Sequence, residues 1–216
     1  MKPRLVPVYP FALVVEDDEV ASVRGAQAVA QRAAILWAIV LRAEGLGRAE
    51  VEVLLRHLEL EPHLSDEERE FLSQSETDPD EAQWLEWRLE SLWVLLWALG
   101  HLDELPWPSQ MCDVARIVGI MKVNEADPSF IEQARLRPIA ELLDAQELTM
   151  RINWAIRNAS MYQQGWIPSG LDWSAERSFV HVTEAHAAAV VEQRHHTLNW
   201  LLDLDEADWD CVSTPT

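Results

Sequence analysis

An all-α fold, a single multi-helix bundle-like domain, follows from three features of this 216-residue sequence. Apolar residues recur at the 3.6-residue helical period over several long stretches. Capping residues, prolines and glycines punctuate those stretches where helices should start and stop. Only the segment 101–127 leaves room for strands, in the form of one small hairpin. Hydrophobic residues make up 49% of the chain and 11 residues are tryptophan, too much apolar surface for a disordered polypeptide. A chain of this length removes roughly 70% of its unfolded surface from water, so the core is sizeable.

The elements follow in order. Residues 1–17 carry Pro3, Pro7 and Pro10 and read as an extended arm, not as a signal peptide, since acidic residues follow with no small-residue cleavage site. A long helix runs from Asp18 to Glu44 and stops at Gly45; its all-apolar stretch Ala33–Leu41 places it centrally. A second helix over Arg48–Leu60 lines up Val51, Leu54, Leu55 and Leu58, and Pro62 follows it. Ser65 and Glu68 form a capping box that opens a short helix to about Ser73. Asp78 as cap, Pro79 at the first position and Glu81 three residues on start a core helix to Leu99, closed by Gly100.

Between His101 and Asp127, Pro106, Pro108 and Gly119 break the pattern, and Asp113–Met121 fits a short helix or a strand. Pro128 and Pro138 each suit a first helical position. The second of these helices extends to about Met161, with Ile139, Leu142, Leu143, Leu148, Ile152, Ala155 and Ile156 as its inner face. Gly165, Pro168 and Gly170 mark a loop. Ser174 or Thr183 opens the last helix, to about Leu202, and residues 203–216 form a tail packed on the core. With no internal repeat and no linker, residues 1–216 read as one domain. The apolar runs Ala33–Leu41 and Leu92–Leu99 fall well short of the ~20 residues a membrane span needs.

Seventeen Lys and Arg against 37 Asp and Glu leave a formal charge of −20. That field repels nucleic-acid phosphates and anionic lipid surfaces, and attracts a basic protein partner. The only lysines are Lys2 and Lys122; the other basic residues are arginines, suited to bidentate pairing with carboxylates. Cys112 and Cys211 lack C-x-x-C spacing and read as free thiols in a reducing, cytoplasmic setting.

Three strings resemble a family of bacterial domains of unknown function. They are Trp87-Arg88-x-Glu90-x-Leu92 running on to Gly100; Arg137-x-x-x-Glu141-Leu-Leu-Asp144 with Leu148, Arg151 and Trp154; and Arg194-His195-x-x-Leu198-Asn199-Trp200 followed by Trp209-Asp210-x-Val212-x-Thr214. The resemblance implies no assigned activity. This chain departs from the family pattern in placing Gln193, not Glu, before Arg194, and Thr197 where a small residue is usual.

The candidate site gathers polar residues from these helices: Arg88, Glu90, Asp144, Glu147, Arg151, Arg194 and Asp210. They fit either an anion-binding pocket or a buried ion-pair network that fixes helix register. Glu192 and His196 stand four apart, but neither H-E-x-x-H nor paired Glu-x-x-His occurs, so no metal is implied. His195 shares the spacing of Val191, Leu198 and Leu202 and reads as a core-edge histidine. Asp113 beside Cys112 should raise the thiol pKa, which argues against a nucleophile. No G-x-S-x-G, P-loop or dinucleotide fingerprint is present, so neither catalysis nor a cofactor is implied. Trp93, Trp97, Trp154 and Trp200 belong to apolar faces; Trp84, Trp107, Trp166, Trp173 and Trp209 sit at helix starts or in loops as lids over the core or binding residues.

Two function classes follow. The first is a non-enzymatic acidic protein that engages a basic protein partner, in concrete form an immunity protein neutralising a cognate toxin. The second is an enzyme or small-ligand domain built where Arg88, Arg151 and Arg194 converge. A homodimer through a Trp-rich face is a third.

Overall fold

In this computed structural model the described residues are 22–75, 78, 85, 87–161, 185–203 and 207–214. Within them the chain forms α1 (Ala26–Ala43), α2 (Arg48–His57), α3 (Asp66–Ser73), α4 (Arg88–Ala98), α5 (Val114–Asn124), α6 (Ser129–Glu132), α7 (Ile139–Met161) and α8 (Ala185–Leu201). Short 3-10 turns lie at Glu61–His63 and Trp209–Cys211, and no strand occurs among the described residues. The arm at 1–17, the loop around Gly165 and the starts at Ser174 and Thr183 lie outside the described residues, as do Trp84, Trp166 and Trp173.

Helix α4 is the central element. It packs on α1 to one side and on α8 to the other, with α5 also against it. Helix α1 in turn carries α2, α3 and α6, while α7 covers the far side of α8. Every residue of α4 is buried, and so is nearly every residue of α1 from Val29 to Val40. That is the consequence of apolar runs that leave no polar face to turn toward water. Among the described residues no helix is long and apolar enough to cross a membrane.

Several boundaries differ from expectation for local reasons. Helix α1 begins at Ala26, not at Asp18, because residues 22–25 are extended onto the end of α8. There the Arg24 backbone N–H donates to the Leu201 carbonyl at 3.0 Å, and its guanidinium donates to the carbonyls of Trp200 and Ala207. Helix α2 ends at His57, three residues early. Glu59 takes a left-handed conformation (φ 54°) and the Leu60 N–H closes on the Leu55 carbonyl at 2.8 Å, leaving Leu58 buried just past the helix. The helix expected from Pro79 is described as a helix from Arg88; Trp87 lies in a turn, and residues 79–84 and 86 are outside the described set.

The open segment 101–127 resolves into a loop and a helix. Asp113 caps α5, its carboxylate accepting the Arg116 N–H at 3.1 Å, and Ile117 and Met121 bury one face. The helix expected at Pro128 is a single turn, whereas α7 extends from Ile139 to Met161. Leu148 departs from its expected place on the inner face of α7: it is 41% exposed. The last segment returns to the core, with Trp209 only 2% exposed.

Candidate functional site: two arginine clusters and a cavity

The polar residues singled out from sequence separate into three places. The first is a buried pair between α4 and α8. Glu90 is fully buried and Arg194 2% exposed, and one carboxylate oxygen accepts from both Nε and Nη2 of the guanidinium at 3.2 Å. The other carboxylate oxygen accepts the Cys112 N–H, while Arg194 Nη1 donates to the Pro106 carbonyl at 2.6 Å. Burial pulls the Arg194 guanidinium below its usual pKa and the Glu90 charge pushes it back. Burial first, and then Glu90, push the Cys112 thiol well up. Asp113, expected to do this, is instead occupied in capping α5.

The second place is an arginine–tryptophan cluster around Trp209. Arg32 on α1 holds Glu68 on α3 in a bidentate contact at 2.7 Å to both oxygens, both side chains being buried. Glu68 is also the second half of the capping box, accepting the Ser65 N–H at 2.8 Å. The guanidinium of Arg32 lies 5.0 Å from the Trp209 ring centroid, that of Arg88 5.8 Å, and that of Arg24 4.7 Å from the Trp200 ring. Trp200 and Trp209 meet edge to face at 5.3 Å, a favoured aromatic geometry. Burial lowers the Arg88 pKa, opposed by Glu68, Glu67 and Asp210. Asp210 accepts the Glu67 N–H at 3.1 Å, tying the C-terminal segment to the start of α3.

Two neutral histidines stand beside these clusters. His196 lies 2.9 Å from the Trp209 carbonyl; a carbonyl only accepts, so Nε2 carries the proton. His195 is fully buried rather than at the core edge, with Asn153 Nδ2 donating to its Nδ1 at 2.8 Å. Burial pulls both down to about 4, helped by Arg157 for His195 and by Arg88 for His196. Glu192 points elsewhere: it is exposed and 3.7 Å from Arg157. Among the described residues no group of three His, Cys, Asp or Glu is placed to hold a metal ion.

The third place is the surface of α7. Glu147 and Arg151 pair along it, four residues apart, and Asp144 is exposed. Asp144 and Arg194 line the same cavity of about 420 Å³, between α7 and the 103–108 loop; Arg88 and Arg151 do not. Arg88 and Glu90 are two residues apart, roughly 200° around the helix, which is why they join different clusters. Sequence reasoning missed Arg32, Glu68 and Arg24. The capping box was the one signal that marked Glu68, and nothing local marked its partner 36 residues away.

The Trp209-Asp210 string at the end of the chain thus meets the Arg88 string and the Trp200 string in one cluster. The model of a family described as Domain of unknown function (DUF4272) matches residues 3–212. The chain belongs to this family. No curated protein and no solved structure matches the chain. Membership in DUF4272 thus assigns no reaction, and its chemistry has to be read from the clusters themselves. Both are dominated by arginines engaged with carboxylates, carbonyls and indole rings, an arrangement that joins helices.

Proposed function

We propose that this protein acts by binding: a cytoplasmic, non-enzymatic acidic protein that engages a basic protein partner. The observation that carries this reading is how burial divides the charges. Among the described residues four arginines are buried (Arg32, Arg42, Arg88 and Arg194) but only two carboxylates, Glu68 and Glu90. Among these residues folding therefore withdraws more cations than anions, which leaves their surface more negative than their own charge sum and adds to a formal charge of −20. The stretch from α2 to α3 alone exposes Glu50, Glu59, Glu61, Asp66, Glu67 and Glu70, against Arg48, Arg56 and Arg69. A surface of this kind steers a basic partner into encounter and repels acidic ones. An immunity protein that occludes a basic toxin is one concrete form of such a binder.

The test is a pull-down with the tagged full chain from lysate of its native host at low and moderate salt, read by mass spectrometry. The expected result is a stoichiometric basic protein that is released as salt rises, because exposed charges are screened beyond ~10 Å at 0.1 M. A partner insensitive to salt, or none at all, contradicts the reading.

A further inference from the structure

We propose that the cavity between α7 and the 103–108 loop is the anchor point for an arginine or lysine side chain of the basic partner; this inference rests on the acidic-binder reading above. The cavity measures about 420 Å³, within the range of small-molecule pockets and large enough for one long side chain with its neighbours. Its wall is mixed in a way that suits such a group. Trp107, Pro106 and Leu148 supply apolar and aromatic surface, while the Trp97 ring already carries the Arg137 guanidinium 5.2 Å from its centroid, and Glu104 and Asp144 stand at the cavity as exposed carboxylates. An aliphatic stem ending in a cation needs both, since its methylenes lie on apolar surface while the head seeks ring faces and carboxylates.

Charge accounting inside the cavity points the same way. Its two cations are already engaged. Arg137 donates to the carbonyls of Trp97 and Leu102 at 2.7 and 2.6 Å and to Glu141 at 3.1 Å. Arg194 serves Glu90 and the Pro106 carbonyl. Asp103 pairs with Arg116 at 3.4 Å. Glu104 and Asp144 enter no ion pair with a described residue, so among the described residues they stand as negative charge without a counter-charge beside the Trp107 surface.

The site is also held open in advance. Arg137 and Arg194 grip the backbone of 102–106 from two sides, and Pro106 and Pro108 flank Trp107. Preorganised walls need not be ordered at the moment of binding. Leu148 adds an independent sign: it sits at an apolar position in the helical repeat of α7, yet it is 41% exposed because it faces this cavity and not the core.

The experiment titrates the full chain with a hexa-arginine peptide by calorimetry at 50 and 300 mM salt, with hexa-glutamate as comparator. Three variants are compared: Glu104→Gln with Asp144→Asn at the cavity, Glu44→Gln with Glu132→Gln as exposed carboxylates that do not line it, and Leu148→Ser. All change exposed side chains, and thermal melts check that each is folded. The expected result is a loss of about tenfold or more for the cavity carboxylate pair, several-fold for Leu148→Ser, and less than twofold for the Glu44 and Glu132 pair. Equal losses for the cavity pair and the Glu44 and Glu132 pair, with Leu148→Ser unchanged, overturn the anchor site and leave the acidic-binder reading standing. No salt-sensitive binding to the wild-type chain overturns the anchor site, and the lysate pull-down then decides the broader reading separately.

Discussion

Glu90 is the residue whose replacement most directly tests the account of the core. Substituting leucine removes the only carboxylate that Arg194 contacts among the described residues, and leaves a guanidinium 2% exposed without a counter-charge. Breaking a buried pair from one side costs about 3–5 kcal/mol, because the remaining charge keeps its desolvation penalty and loses its compensation. The Cys112 N–H loses its acceptor in the same step. Against a native stability of roughly 5–15 kcal/mol, Glu90→Leu should leave a protein close to unfolding. Arg194→Met should cost a similar amount from the other side, stranding the carboxylate and the Pro106 carbonyl. The double variant should cost much less than the two singles together, about 2–4 kcal/mol, since only the two backbone groups are then unsatisfied. Urea denaturation at pH 7 followed by tryptophan fluorescence, with m-values held equal, gives all four corners of the cycle. A Glu90→Leu variant that loses under 1 kcal/mol, or singles that simply add, would refute the claim that this pair is buried and mutually dependent.

Four further outcomes are expected. His195 and His196 are neutral in the fold with pKa values near 4 against 6.5 when unfolded, so acid favours the unfolded chain. Their stabilisation is complete above pH 6.5 and is lost as pH falls toward 4, about 2 kcal/mol per histidine between pH 7.5 and 5.0; urea midpoints that stay flat across that window contradict it. Gly100 ends α4 with φ 78° and a Cβ there would meet nothing within 4 Å, so Gly100→Ala should cost about 1–2 kcal/mol through backbone strain alone. By the same logic Glu59→Gly (φ 54°) should raise stability by up to about 1 kcal/mol, read as a thermal shift. Trp209 Nε1 has no hydrogen-bond partner among the described residues, so Trp209→Phe should cost little beyond the smaller ring, whereas Trp209→Ala should lose about 3–5 kcal/mol with the arginine stacking; a Phe variant as damaged as the Ala variant would show that the indole N–H matters after all.

Much of this molecule was legible in the sequence because the signals were local. The Ser65–Glu68 box, the Gly45 and Gly100 stops and the apolar run of α1 act within one or two helical turns, and each produced the element it announced. The candidate site was legible only as a set of residue types. Glu68 reads as a cap because its partner Ser65 is three residues away; that it also neutralises Arg32 depends on α3 docking against α1. Arg88 and Glu90 look like neighbours in sequence, yet helical geometry sends one to Trp209 and the other to Arg194. Leu148 follows the apolar repeat of α7 faithfully, and only the placement of the 103–108 loop decides that it faces a cavity. Helix formation is settled by contacts over three or four residues, which a sequence displays directly. Pairing between arginine and carboxylate is settled by which helix faces meet, and that is decided by the packing of α1, α4 and α8 as a whole.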